Sequence, residues 1–188
     1  RIRSGGQSES GMPEPHVLLN PTALQKCLLR IAHEISEHNE ASRDVVVVGI
    51  QKGGVHLAAR LAGLLKHIWQ HEVPQGTLDT SMHRDDLDHQ PAPLVMPTTL
   101  PFDLAGRTVV LVDDVLFSGR TVRAALDALN DFGRPRRVQL AVLVDRGHRE
   151  LPIKADFVGK NAPTSLHEHI DVQLKETGGN DIVYLRDK

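Results

Sequence analysis

Two adjacent carboxylates, Asp113 and Asp114, end a hydrophobic run, and a short turn bearing Ser118, Gly119 and Thr121 follows at once. From Val109 to Thr121 the segment reads VVLVDDVLFSGRT. Its chemistry is that of an anion site beside a hydroxyl site. Backbone N–H groups that open a helix lack intrahelical acceptors, and the helix dipole favours negative charge there. Gly119 lets the backbone come close to a ligand, and the Ser118 and Thr121 hydroxyls add donors. Carboxylates repel phosphate, but they accept from sugar hydroxyls or from water on a bound Mg²⁺. Donors for a phosphate next to acceptors for a sugar describe a ribose 5-phosphate ligand. The bland alternative is a strand–turn–helix with a capping Asp-Asp, but the pattern is far longer than a capping box. Neither G-x-x-x-x-G-K-[ST] nor G-x-G-x-x-G occurs, so the nucleotide P-loop and the dinucleotide fingerprint are both excluded.

The surrounding elements must carry that turn. Asn20-Pro21 reads as an N-cap with proline at the first helical position, and Leu24, Leu28, Ile31 and Ile35 recur at helical spacing up to Asn39. Asp44 to Ile50 (DVVVVGI) is a β-branched run expected to be a strand buried on both faces. The Gly53-Gly54 turn follows, then an apolar helix from Val55 to Trp69. A strand is expected from Gly76 to His83. Arg84 to Pro101 is charged and then proline-rich, which points to a functional lid or to disorder. Thr108 to Val115 is a second buried strand, Gly119 to Phe132 a helix ending at Gly133, and Val138 to Val144 a third buried strand. Phe157-Val158 and Val172-Gln173-Leu174 are short strand candidates. Alternating strands and helices give an α/β fold, a mostly parallel twisted sheet with helices on both faces. Ligands bind such sheets beyond the carboxyl ends of the strands, where the turns after Ile50, Val115 and Val144 should converge.

Composition sets the outer limits. The chain has 188 residues, 24% charged and 40% apolar, with a formal net charge of −2, which fits one soluble globular domain and argues against coating nucleic acid by bulk charge. Cys27 is the single cysteine, so an internal disulfide and a multi-cysteine zinc site are excluded, and a reducing, cytoplasmic compartment is expected. No apolar run is long enough to cross a membrane. The first eleven residues, RIRSGGQSESG, are polar and Gly/Ser-rich. Residues 1–16 are taken as a disordered leader or a tag remnant, and residues 17–188 as a single domain. His33-Glu34 and His167-Glu168-His169 lack the H-E-x-x-H spacing of a zinc site and read as surface polar groups.

The stretch VVLVDDVLFSGRT resembles the signature of type I phosphoribosyltransferases, which use phosphoribosyl pyrophosphate (PRPP). With RIAHEI, LDTSMHRDDL, VDDVLFSGRTVRAALDAL and GRPRRVQLAVLVDRGHRELPIKADFVGKNAPTS, the chain resembles the bifunctional pyrimidine-operon attenuator and uracil phosphoribosyltransferase family from about Val17 to Leu174. DRGHRELPI followed by ADFVGKN is the part specific to that family. The resemblance implies the type I phosphoribosyltransferase fold with a small hood from the chain ends. It implies conversion of uracil and PRPP to UMP and pyrophosphate, with Mg²⁺ bound mainly through PRPP and no metal ligand directly from the protein. A homodimer or higher oligomer is the implied assembly.

Carried over residue by residue, the PRPP-binding segment is Val109, Val110, Leu111, Val112, Asp113, Asp114, Val115, Leu116, Phe117, Ser118, Gly119, Arg120 and Thr121. Asp113 and Asp114 would hold the ribose hydroxyls, and Leu116 to Thr121 the 5-phosphate. The pyrophosphate loop would be Gln51, Lys52, Gly53 and Gly54. The family has Thr-Arg-Gly where this chain has Lys52-Gly53-Gly54, a form closer to hypoxanthine-guanine phosphoribosyltransferases, so a 6-oxopurine acceptor is the alternative. The Gln51–Lys52 peptide is a candidate for the cis geometry that such loops use. Arg84, Asp85 and Asp86 fall on the implied catalytic loop, and Arg146, Phe157 and Val158 on the base-binding region.

The same resemblance implies UMP-responsive binding to pyrimidine leader mRNA in some members. From Arg134 to Lys160 seven basic residues face three acidic ones, a local net of +4. Arg30, His33, His148, Arg149, Lys154 and Lys160 are the candidate RNA contacts. Against this, acids are interspersed, one Trp and one Tyr leave few stacking platforms, and Leu29 and His38 stand where RNA-binding members carry polar or basic groups.

Overall fold

A computed structural model describes residues 15–85 and 94–187. Five strands make a parallel sheet in the order β3-β2-β4-β5-β6: β2 (Val45–Ile50), β3 (Gln75–Leu78), β4 (Thr108–Leu116), β5 (Arg137–Asp145) and β6 (Phe157–Asn161). Three helices flank it: α1 (Pro21–His38), α2 (Gly54–Trp69) and α3 (Arg120–Leu129). The uninterrupted valine runs sit in the middle strands because both faces are covered. Val45, Val47, Val110 and Val112 pack with α1 and α2, whereas Val46, Val48, Val109 and Leu111 pack with α3. In α1 the Asn20 Oδ1 accepts from the Ala23 N–H at 2.8 Å, and Leu24, Leu28 and Ile31 are at most 1% exposed. Each such burial contributes about 2 kcal/mol of transfer free energy.

Strand order reverses after β3: β3 lies on one side of β2 and β4 on the other. The carboxyl ends of β2 and β4 therefore flank the crevice where ligands bind doubly wound sheets. The loops Gln51–Gly53 and Phe117–Gly119 both open there.

The chain ends form a second, antiparallel sheet in the order β1-β8-β7, from β1 (His16–Leu19), β7 (Glu168–Gln173) and β8 (Ile182–Asp187). This is the hood. Val183 is fully buried, and Ile170 and Val172 pack on the α1/α2 side of the core. Arg60 of α2 ties the hood down: its guanidinium donates to Glu176 at 2.8 and 2.6 Å and to Asp181 at 2.7 Å. That bond holds both carboxyls below their ordinary pKa range.

Some expectations shift. The strand placed at Gly76–His83 stops at Leu78, because the Asp79 carboxylate accepts from the Ser81 N–H and hydroxyl and turns the chain into a short 3₁₀ segment, Ser81–His83. The short strand at Val172–Leu174 is β7, with Leu174 just beyond its end. Strands β1 and β8 had no counterpart in the sequence reading, and His16, assigned to the leader, opens β1. The rest of the leader, from residue 1 to 14, lies outside the described residues. No described helix is long and apolar enough to cross a membrane.

The clamp has a testable pH signature. Arg60→Ala should lower stability by about 2 kcal/mol near neutral pH. Depressed carboxylate pKa values add stability above the unfolded-state pKa and lose it as pH falls through the folded value. The difference between wild type and variant should therefore be constant above about pH 5 and shrink below about pH 4. Denaturant titrations at several pH values measure it, and a pH-independent difference would remove the clamp from the account.

Candidate active site

Strand β4 delivers two carboxylates to opposite faces at its carboxyl end, as strand alternation requires. Asp113 is 7% exposed and lines a cleft of about 410 Å³ with Arg84, Val115 to Val122 and Glu150. Asp114 turns the other way, onto Gly53: a Cβ built at Gly53 would stand 2.3 Å from its carboxylate. Its Oδ1 accepts from the Val115 N–H at 2.7 Å, and the Asp113 Oδ1 accepts from the Asp114 N–H at 2.9 Å. Burial pushes the Asp113 carboxyl well above its usual range, and the neighbouring Asp114 charge pushes it further; the charge of Arg84 opposes both.

The turn between β4 and α3 has the features of an anion cradle. Gly119 has φ +91°, a left-handed conformation that glycine adopts readily, and a Cβ there would press on Ile153 at 3.0 Å. The Ser118 Oγ accepts from the Arg120 N–H at 3.3 Å. The carbonyls of Leu116 and Ser118 are engaged from behind, by the N–H groups of Arg146 (3.0 Å), Glu150 (2.9 Å) and Leu151 (3.2 Å). Such an arrangement keeps these carbonyls off the cleft and leaves the remaining N–H groups at the start of α3, beyond that of Arg120, for a ligand.

The second loop meets the first through glycine. A Cβ at Gly54 would lie 1.9 Å from the Val112 carbonyl oxygen, and one at Gly49 would lie 2.7 Å from the Gly54 oxygen. Helix α2 thus starts against the β4 backbone, one residue from Asp113. The Gln51–Lys52 peptide is cis, as the loop type suggested. Lys52 is exposed, and the Gln51 N–H donates to the Leu78 oxygen at 2.9 Å.

Several sequence assignments move. Val109, Val110, Leu111 and Val112 are at most 1% exposed and pack between helices, so they support the PRPP segment without reaching a ligand. Phe157 is 1% exposed at the start of β6, beside Ala141 and edge-on to His38. Its ring belongs to the α1 core, four residues short of the strand's carboxyl end, and cannot stack on a base in the crevice. Val158 is half-buried one residue further on. Arg146 is 5% exposed, with its guanidinium 4.1 Å from the Phe117 ring centroid. It donates to Thr164 Oγ1 (2.9 Å) and to the carbonyls of Ser165 (3.1 Å) and Glu168 (2.8 Å), so it joins the hood to the loop.

Arg84 reaches the cleft, whereas Asp85 pairs with Arg120 (3.0 Å) and Arg123 (2.7 Å) on α3. Asp86 lies outside the described residues. Among the RNA candidates, His33, His148 and Lys154 are exposed and Lys160 half-buried. Arg30 is half-exposed and bonded to Glu34 and to the Val158 and Gly159 carbonyls. Arg149 instead turns inward, to Asp145 and to the Phe117 and Ile153 carbonyls. Glu150, which bonds Arg120 at 2.6 Å on the rim of the cleft, was missed by sequence reasoning; nothing in its spacing marked it.

Fold and loops together define a phosphoribosyltransferase, and the phosphoribosyl transferase domain model matches residues 20–177. The chain is 58% identical over 170 residues to the bifunctional protein PyrR of Roseiflexus sp. (strain RS-1), covering 89% of this chain and 93% of the relative. It is likewise 58% identical over 173 residues to that of Streptomyces coelicolor, covering 92% and 90%. The chain belongs to the bifunctional PyrR family of phosphoribosyltransferases. Among solved structures, a hypoxanthine-guanine phosphoribosyltransferase from Bacillus anthracis superposes with a TM-score of 0.69 at 20% identity, covering 90% of this chain and 96% of that one. The Trypanosoma cruzi hypoxanthine phosphoribosyltransferase bound to IMP gives 0.70 at 20% identity, covering 95% and 93%. At that identity the likeness concerns the fold alone.

Asp113 should control the pH profile. A raised carboxyl pKa means that the buried ionised form is penalised in the free protein, so ligand hydroxyls gain their acceptor only as pH rises through that value. The acid limb of kcat/KM for PRPP should lie above the ordinary carboxylate range. Asp113→Asn should abolish that limb and lower kcat/KM by about tenfold or more. A limb retained in the variant would assign the titration to the ligand phosphate instead.

Proposed function

We propose that the cleft binds PRPP and transfers its ribose 5-phosphate to uracil, giving UMP and pyrophosphate, within a single domain spanning residues 17–188. The observation that carries this is the pairing, in one cleft, of the turn at Leu116–Thr121 with the Asp113 carboxylate, while the Asp114 carboxylate faces the Gln51–Gly54 loop at Gly53. The turn takes the 5-phosphate and the carboxylates accept from the ribose hydroxyls. Loop Gln51–Gly54 receives pyrophosphate, with Lys52 and Arg84 supplying positive charge. Displacement at the ribose C1 passes through an oxocarbenium-like state, so positioning and fixed charge do the catalysis and a nucleophilic side chain is not needed. The Asp113 and Asp114 carboxylates favour the charge that develops on the ring.

Mg²⁺ suits this donor set. Two carboxylates offer hard oxygens beside the site but too few to cage an ion, which fits a cation carried mainly on PRPP. When bound it would neutralise the leaving group. The protein's own residues hold the sugar and phosphates in place around it.

A second activity, UMP-responsive binding of pyrimidine leader RNA, belongs to the same reading, with exposed His33, His148 and Lys154, half-exposed Arg30 and Lys160 as the contact set. A homodimer or higher oligomer working in the cytoplasm completes it.

Acceptor assays with PRPP and Mg²⁺ test the enzyme. Uracil should be consumed with release of pyrophosphate, and hypoxanthine and guanine should not; the reverse order would establish the 6-oxopurine alternative that Lys52-Gly53-Gly54 raises. In gel-shift titrations, leader RNA binding should tighten with UMP and weaken with salt. Absence of binding at low salt would remove the regulatory activity.

A further inference from the structure

An anion-binding turn works only if its carbonyl oxygens are held away from the ligand, since each one facing a phosphate would repel it. Here three consecutive carbonyls are engaged by one segment, residues 146–151. The Leu116 oxygen accepts from the Arg146 N–H at 3.0 Å, and the Ser118 oxygen accepts from Glu150 and Leu151 at 2.9 and 3.2 Å. The middle one, Phe117, has no backbone donor in this set. It accepts from the Arg149 Nη1 at 2.7 Å.

Arg149 is placed for that task. Its Nε donates to the Ile153 oxygen at 2.9 Å, and its Nη2 to the Asp145 carboxylate, itself fixed by the Gly147 N–H at 3.0 Å. The side chain is 23% exposed and runs between the end of β5 and the turn. Ile153, whose carbonyl it holds, is the residue packed against Gly119. One planar guanidinium thus fixes the Phe117 carbonyl, the end of β5 and the wall behind Gly119 together. A lysine, with one nitrogen, cannot span all three.

We infer that Arg149 is a positioning residue for the 5-phosphate turn, acting through the Phe117 carbonyl. The inference rests on the reading of this cleft as a nucleotide 5-phosphate site. Its corollary is reciprocal: if Arg149 orders the turn for phosphate, phosphate in the turn orders residues 145–151. His148, exposed in that segment with its ring 6.1 Å from Phe117, then reports occupancy of the cleft at the surface.

The test uses Arg149→Ala and Arg149→Lys in the full chain. Loss of a charged hydrogen bond predicts about a tenfold rise in the UMP dissociation constant and in the KM for PRPP for Arg149→Ala. The value of kcat and the KM for uracil should stay within about twofold. Arg149→Lys should fall between variant and wild type. Calorimetric titration with UMP, alongside melting curves, reads this without RNA. A folded Arg149→Ala protein with wild-type UMP affinity and KM for PRPP would overturn the inference. If that variant does not fold, Arg149→Lys decides: a rise of about threefold or more supports it, and wild-type values overturn it. Failure of the wild-type protein to bind UMP or PRPP would instead sink the reading of the cleft itself.

Discussion

Everything at the crevice depends on backbone meeting backbone at the junction of β2, β4 and α2. Nothing larger than hydrogen fits at Gly54, because a Cβ there would penetrate the Val112 carbonyl at 1.9 Å. Gly49 and Gly53 repeat the requirement against the start of α2 and against Asp114. The consequence is that the N-terminus of α2 and the carboxyl end of β4 come together without an intervening side-chain layer. Both ligand loops therefore begin within a residue or two of the Asp113–Asp114 pair. A single substrate can be held at its phosphate, its sugar hydroxyls and its leaving group only if those three surfaces are this close. The valines on either side of the junction supply rigidity, being β-branched, fully buried and shared between two packed faces.

Charge is arranged around the cleft so that few of its cations meet the ligand directly. Arg120 stands in the phosphate turn, yet Asp85 and Glu150 engage its guanidinium. Arg123 shares Asp85. These exposed pairs contribute little to stability, but they orient the first turn of α3 relative to the segments on each side of it. In the proposed reading the attraction for the 5-phosphate falls to main-chain dipoles, which need no reorganisation when the ligand arrives. Asp113 is the opposite case, a carboxyl that burial makes reluctant to ionise.

How much of this was legible beforehand follows from how local each signal is. The buried strands announced themselves as valine runs, and α1 by its cap and spacing, because those features depend on residues close in sequence. Asp113 to Thr121 was legible for the same reason: carboxylates, glycine and hydroxyls are consecutive. The hood strands β1 and β8 gave no such signal, being six residues or fewer, with β1 paired to the far end of the chain through β8 and β8 paired to β1 and β7. The directions of Phe157 and Arg149 were not legible because their types suit two roles. A phenylalanine at a strand's start stacks or packs according to which face it takes, and an arginine in a basic segment binds outward or inward according to which carbonyl is within reach. The family resemblance carried the position of each residue but not the direction of its side chain.

Arg146 shows why direction matters. Burial lowers its pKa, so its charge is held at some cost. Its partners are three neutral oxygens of the segment leading into β7 and the face of Phe117. A guanidinium is the side chain that can satisfy them together, because it is planar, rich in donors and weakly hydrated. Its Nε and Nη2 donors hold the hood, whatever else the guanidinium meets. What it does is make the hood and the phosphate turn one body: a shift of Phe117 is felt at Ser165 and Glu168, and a shift of the hood is felt at the turn. The hood and the β4–α3 turn are therefore mechanically joined through a single buried arginine.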